Sequence, residues 1–302
     1  MLGRKFSTVM SLLLTLLSNI LRKFSMALKV ASLRFSSEDS WKRIVVKSAT
    51  QYDMSIRDDE FYYSQQYLEF LRITLNGTEP RRILDLGCGS GRLSNQLAAI
   101  FPKAEIVGCD ISETTVLAAR RNSKSEGNTN TTYKYISIDE QLKRIGRESQ
   151  DLVILTEVAF YYSNWASHLE RIMEVLCTGG LFACSVRSRY YTALHAVQND
   201  RFESCTEILN SNTGAIFGST LDFTWYSTDE AVGLIESTPK MEVVFRAAIG
   251  ALSGIPGDPN FGNCQPSTLS GEERRQLMEV ELALGQKYPD SGRYIFLIAV
   301  KR

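Results

Sequence analysis

Residues 81–92 read R-R-I-L-D-L-G-C-G-S-G-R, and this stretch limits what the chain can fold into more than any other. Ile83 and Leu84 form a short apolar run, as a buried strand does. Asp85 follows, and then three glycines fall within five residues: Gly87, Gly89 and Gly91. Beyond them Leu93, Leu97 and Ile100 recur at helical spacing. The glycines therefore sit at a strand-to-helix turn. Glycine takes backbone angles closed to other residues and leaves no side chain to hold a ligand off. A turn of this kind can press main-chain N–H groups and a helix N-terminus against a nucleotide-like ligand.

Downstream the pattern alternates strand and helix, which predicts parallel βαβ units in an α/β fold. Strands are expected over Arg82–Leu86, Glu105–Cys109, Tyr133–Ile138, Leu152–Thr156 and Leu181–Val186. Asp110, Asp139 and Glu157 close the second, third and fourth. Helices are expected from Arg92, over about Glu113–Ser123 with Ser112 as N-cap, and over about Trp165–Leu176. Further on, helices read at Tyr190–Gln198 and Asp229–Glu236, and strands at Glu242–Ile249 and Arg293–Val300. Ser270-Gly271-Glu272-Glu273 spells a capping box that opens a helix to about Lys287. Before the first strand, Leu68, Leu71 and Leu75 mark a helix that Asn76-Gly77 stops.

The spacing is G-x-G-x-G, whereas the dinucleotide fingerprint is G-x-G-x-x-G. Asp110 lies 19 residues beyond Gly91, a spacing that suits a carboxylate taking both ribose hydroxyls. Asp139, at the next strand end, is placed to accept from an adenine amino group.

With these residues in view, the chain resembles the class I S-adenosylmethionine-dependent methyltransferases. Asp85-Leu86-Gly87-Cys88-Gly89-Ser90-Gly91 matches the family's first motif, Gly108-Cys109-Asp110-Ile111-Ser112 the second, and Asp139 the third. Residues 151–158 match the fourth, and residues 176–182 the turn after it. Cys177-Thr178 stands where the family usually has a basic residue and a proline. The match covers about residues 81–186 and the last two strands.

The resemblance implies a Rossmann-like, seven-stranded sheet, mostly parallel with an antiparallel last strand, and helices on both faces. It implies S-adenosyl-L-methionine as methyl donor, held by Asp85, Gly87, Cys88, Gly89, Gly91, Asp110, Ile111, Asp139 and Glu157. It implies transfer to a small-molecule acceptor at an N or O nucleophile. A short run, Glu157 to Tyr162, is also similar to nodulation-type N-methyltransferases. Glu157 and Tyr161 are the candidates near the reacting methyl group. Phe160, Tyr161 and Tyr162 could face a cation through their rings. His195, just beyond the fifth strand, is the candidate general base, and His168 reads as a surface or structural residue. Two other readings stay open: a donor-binding protein without turnover, and an NAD-dependent oxidoreductase on a similar sheet.

Composition narrows the partners. Lys+Arg and Asp+Glu are both 34, so nothing in the charge balance favours nucleic acid. The six cysteines contain no C-x-x-C pair and there are two histidines, which argues against a zinc site and for reduced, buried thiols. Residues 1–37 lack any acidic residue and carry six basic ones (Arg4, Lys5, Arg22, Lys23, Lys29 and Arg34). Ser7, Ser11, Thr15, Ser18, Arg22, Ser25 and Lys29 would share one helical stripe, as in a basic amphipathic helix. That segment reads either as a membrane-surface or organelle-targeting helix or as an extension of a cytoplasmic protein. One domain is expected from residue 38 to 302. Insertions at about 187–228 and 250–291 would shape the acceptor side.

Overall fold

The computed structural model describes residues 59–161, 164–215, 222–255 and 258–302. The basic segment 1–37, most of the aromatic stretch 41–63, and Tyr162 lie outside the described residues.

A seven-stranded sheet carries the fold, in the order β3-β2-β1-β4-β5-β9-β8. The strands are β1 (Arg82–Leu86), β2 (Glu105–Asp110), β3 (Thr131–Tyr135), β4 (Gln150–Leu155), β5 (Leu176–Arg187), β8 (Met241–Ile249) and β9 (Tyr294–Lys301). The pairs among β1 to β5 are parallel. β9 runs antiparallel to both β5 and β8. The last strand thus slots between the fifth and the sixth of the sheet, as the resemblance implies. Ile83, Leu84, Leu86, Leu152–Leu155 and Ile295–Ala299 are fully buried. Strands apolar on both faces need helices on both faces to cover them.

Those helices are α1 (Asp59–Leu75), α2 (Arg92–Ile100), α3 (Glu113–Ser125), α4 (Ile138–Arg144), α5 (Leu169–Val175), α6 (Arg189–Gln198), α7 (Phe202–Asn210), α8 (Thr228–Glu236) and α9 (Gly271–Lys287). Two apolar clusters form the core, one on each side of the sheet. One joins Trp165, Leu169, Ile172 and Ile235 to strands β1, β4, β5 and β9. The other joins Tyr63, Tyr67, Phe70 and Leu97 to Ile83, Leu152, Ile154 and Phe296. Ser112 caps α3 by accepting from Thr115 N, and Ser270 with Glu273 forms the capping box of α9, both as the sequence predicts.

Several boundaries differ from expectation. The third strand ends at Tyr135, and Ser137 caps a helix over Ile138–Arg144. Asp139 therefore lies in the first turn of α4, not at a strand end. A serine N-cap followed by Asp139 and Glu140 is a helix-start signal that outweighs two further β-compatible residues. The helix expected over Trp165–Leu176 begins as a 3-10 turn, Trp165–His168, and becomes α-helical only at Leu169. β5 starts at Leu176, ahead of Gly179-Gly180. The insertion after β5 holds an unexpected helix, α7, and a small hairpin of β6 (Thr213–Ala215) with β7 (Asp222–Thr224). The thiols of Cys88, Cys109 and Cys184 are buried, but Cys177, Cys205 and Cys264 are only half-buried.

Helix α1, the turn after β8 and helix α9 are tied together by one buried carboxylate. Glu281 of α9 accepts from Leu252 N at 2.8 Å, from Ser253 N at 2.6 Å and from Gln66 Nε2. Gln66 of α1 in turn accepts from Gly250 N at 3.0 Å. Removing a hydrogen-bonded buried carboxylate strands its donors. Glu281→Ala is expected to lower unfolding free energy by roughly 2–4 kcal/mol, read by urea denaturation. A change within experimental error would show that the clamp is dispensable.

Candidate active site

The site lies at the carboxyl ends of β1, β2, β4 and β5, the edge where open α/β sheets bind ligands. Its floor is the loop from Gly87 to Gly91. All three loop glycines have positive φ, at 77°, 52° and 80°. A side chain on Gly87 would collide with Val158, whereas a Cβ on Gly89 would meet nothing within 4 Å. Gly89 thus borders open space, as a loop that receives a ligand must.

Hydrogen bonding within the loop is specific. Gly87 N and Cys88 N both donate to Cys109 O, at 2.8 and 2.9 Å, and Gly91 N donates to Cys88 O at 2.9 Å. Gly89 N donates to Asp110 Oδ2 at 3.0 Å. These four amides are turned inward, so they are not free to cradle a phosphate, contrary to the first reading of the glycines. The Cys88 side chain also points inward, packed with Val116, Ala119 and Tyr133.

Asp110 does more than end β2. Its Oδ1 accepts from Ser112 N at 2.8 Å and from Thr115 Oγ1 at 3.3 Å, so one carboxylate joins the loop to the start of α3. Burial raises its pKa, opposed by those hydrogen bonds. A carboxylate has more acceptor positions than these bonds fill, which leaves capacity for hydroxyl donors. Ile111 beside it is half-buried. Asp85 is buried and accepts from Ser94 Oγ of α2. Burial pushes its carboxyl up to about 6, against the Ser94 hydrogen bond.

Glu157 follows β4 with a left-handed backbone, φ 59°, uncommon for a residue with a side chain. Its N–H donates to Ser185 Oγ at 2.8 Å, which fixes it to β5. Its Oε2 pairs with Arg92 Nη2 at 2.8 Å, while Oε1 is buried without a hydrogen-bond partner among the described residues. Arg92 also lies 3.5 Å from Glu60 Oε2 and donates to Glu60 O at 2.8 Å, drawing α1 over the site. Arg92 closes the opening motif in sequence, yet nothing in its spacing announced this role.

Aromatic side chains cluster just after Glu157. Phe160 packs 4.1 Å from Tyr161 and 4.9 Å from Phe223, centroid to centroid. Burial raises the Tyr161 phenol pKa, with Arg293 and Arg187 opposing and Glu157 reinforcing. His195 is half-buried on α6, its ring 6.5 Å from that of Tyr191. Asp139 stands apart from these groups in contact terms, its carboxylate 3.4 Å from Nδ1 of His168. His168 is buried, not a surface residue, and burial lowers its pKa.

A model of the family described as "Methyltransferase domain" matches residues 78–233, just over half of the chain. The chain belongs to this methyltransferase family. Its fold is that of class I S-adenosylmethionine-dependent methyltransferases. Over 111 residues it is 37% identical to a malonyl-[acyl-carrier protein] O-methyltransferase of Legionella pneumophila, a match covering 36% of each chain. Over 108 residues it is 34% identical to a ubiquinone biosynthesis O-methyltransferase of a Ruegeria species, covering 36% of this chain and 42% of that one. The match thus spans well under half the length of these relatives. An S-adenosylmethionine-dependent methyltransferase from Mesorhizobium loti superposes with a TM-score of 0.52 at 17% identity, over 78% of this chain and 98% of that one.

The raised Asp85 pKa has a signed consequence. A carboxyl that binds its proton more tightly when folded stabilises the fold below its unfolded pKa. That stabilisation is lost as pH rises through the folded value. Between pH 3.8 and about 6, wild type should therefore lose stability relative to Asp85→Asn. The limit is roughly 3 kcal/mol, at about 1.4 kcal/mol per tenfold change in proton affinity. Urea denaturation of both proteins at pH 4.5 and 7 checks this, and a pH-independent difference would refute it.

Proposed function

We propose that the protein transfers a methyl group from S-adenosylmethionine to an N or O nucleophile of a small-molecule acceptor. The observation that carries this reading is the inward turn of the loop amides together with the Asp110 carboxylate at the next strand end. A dinucleotide brings a pyrophosphate and needs outward N–H groups. S-adenosylmethionine brings no phosphate; it brings a ribose diol, an ammonium and a sulfonium. A loop that keeps its amides inward and borders open space at Gly89 suits the second ligand better. The NAD-dependent alternative is correspondingly disfavoured.

When bound, S-adenosylmethionine supplies a methyl group made electrophilic by its own positive charge. The chain's residues then have to bind, align and exclude water. In this reading Asp110 accepts from the ribose hydroxyls and Ile111 covers the base. The loop carbonyls and Glu157 face the ammonium and sulfonium side. Asp139, in the first turn of α4, would meet the adenine only from the helix end. Tyr161 offers its ring to a cationic centre, while Phe160 is taken up by Phe223 and Arg187. His195 remains the candidate base for an acceptor that must lose a proton.

Two variants test the reading. Gly89→Val places a β-branched side chain in the open space at a positive φ. It should remain folded and lose S-adenosylmethionine binding in calorimetry; retained binding would overturn the pocket assignment. His195→Ala should lower turnover of labelled methyl into a metabolite extract at least tenfold while donor affinity changes little. Unchanged turnover would remove the base role and leave alignment as the enzyme's contribution.

A further inference from the structure

Arg187 is the last residue of β5 and points into the aromatic side of the site. It is 5% exposed. Its guanidinium carbon lies 4.7 Å from the Tyr191 ring centroid, 5.3 Å from Phe160 and 5.6 Å from Tyr294. A guanidinium carries a positive charge and N–H donors but no acceptor. Its Nε and Nη1 are buried and have no hydrogen-bond partner among the described residues.

Other enclosed cations, half-buried Arg293 and Arg92 and buried Lys301 at the opposite end of the sheet, are treated differently. Arg293 pairs with Asp258 at 2.8 Å, Arg92 with Glu157 at 2.8 Å, and Lys301 lies 3.3 Å from Glu148 and donates to Leu176 O at 2.7 Å. No described carboxylate pairs with Arg187. Ring faces offset part of the cost of burying its charge, but they accept no N–H hydrogen bond of ordinary strength. A buried cation with unsatisfied donors at the sheet's ligand edge calls for an anion that the described residues do not supply.

We propose that the methyl acceptor is an organic carboxylate whose anionic group pairs with Arg187 inside the cage of Phe160, Tyr191 and Tyr294. This rests on the methyltransferase reading above and adds the acceptor's chemical class. One guanidinium matches one negative charge. Glu157 does not supply that charge, because its Oε2 is paired with Arg92. The aromatic walls favour an apolar or aromatic body behind the charge. The position fits as well. Ser185, two residues before Arg187, holds Glu157 N, so the anion anchor stands beside the strand end that borders the donor pocket.

The test uses the full chain saturated with S-adenosylhomocysteine and benzoate as probe, with benzamide as its uncharged isostere. Calorimetry should show benzoate binding at least tenfold tighter than benzamide. Arg187→Met should lose that preference while S-adenosylmethionine affinity stays within twofold. Without benzoate, Arg187→Met should melt no lower than wild type, because it removes an uncompensated buried charge. Arg187→Lys, which keeps the charge, should retain part of the preference. Equal binding of benzoate and benzamide by wild type would overturn the proposal, and so would a benzoate preference that survives in Arg187→Met. Inorganic phosphate displacing benzoate at equal concentration would reassign the site to phosphate monoesters and also overturn it. Loss of S-adenosylmethionine binding in wild type itself would instead sink the underlying methyltransferase reading.

Discussion

The site depends first on the Asp110 carboxylate. One oxygen takes the Gly89 amide at 3.0 Å, and the other takes the Ser112 amide at 2.8 Å. These bonds join the tip of the glycine loop to the N-terminus of the next helix. They also use the loop amide that would otherwise face the ligand. With Gly87 N and Cys88 N given to Cys109 O and Gly91 N to Cys88 O, four amides of the loop are bonded within the protein and are not available to a phosphate.

Around that floor, ion pairs and one buried carboxylate bring distant parts of the chain to the same edge. Arg92 connects the first residue of α2 to Glu157 after β4 and to Glu60 on α1. Glu281 connects α9 to the turn after β8 and, through Gln66, to α1. In the proposed reading the donor side is local in sequence and built from strand ends, and the acceptor side is assembled from α1, β5, α6 and the segment after β8. This division explains why a donor pocket can be shared widely among proteins of this fold while acceptor sites differ.

The same division decides what could be read from sequence. Strand ends and glycines repeat at fixed intervals, so Asp85, Gly89 and Asp110 were legible as a set. The capping serines at 112 and 270 were legible because their partners lie three residues away. The strand end expected at Asp139 is absent, because Ser137 starts a helix there. Arg92 and Arg187 were missed for a different reason. Each gains its role from partners far away in the chain: Glu157 for one, Tyr191, Tyr294 and Phe160 for the other. The signal that was present for Arg187 is a charged residue closing an otherwise apolar strand, L-F-A-C-S-V-R. Helix α7 and the β6–β7 hairpin are short, and their residues pack mainly on Trp225 and α6, outside the strand-end pattern that announced the rest.

The central claim is that the loop beneath Gly89 receives a cationic, phosphate-free nucleoside donor. Titrating the full chain with S-adenosylmethionine and, separately, with NAD in a calorimeter measures this directly. Saturable heat with S-adenosylmethionine and none with NAD is the predicted result. Saturable binding of NAD with none of S-adenosylmethionine would contradict it.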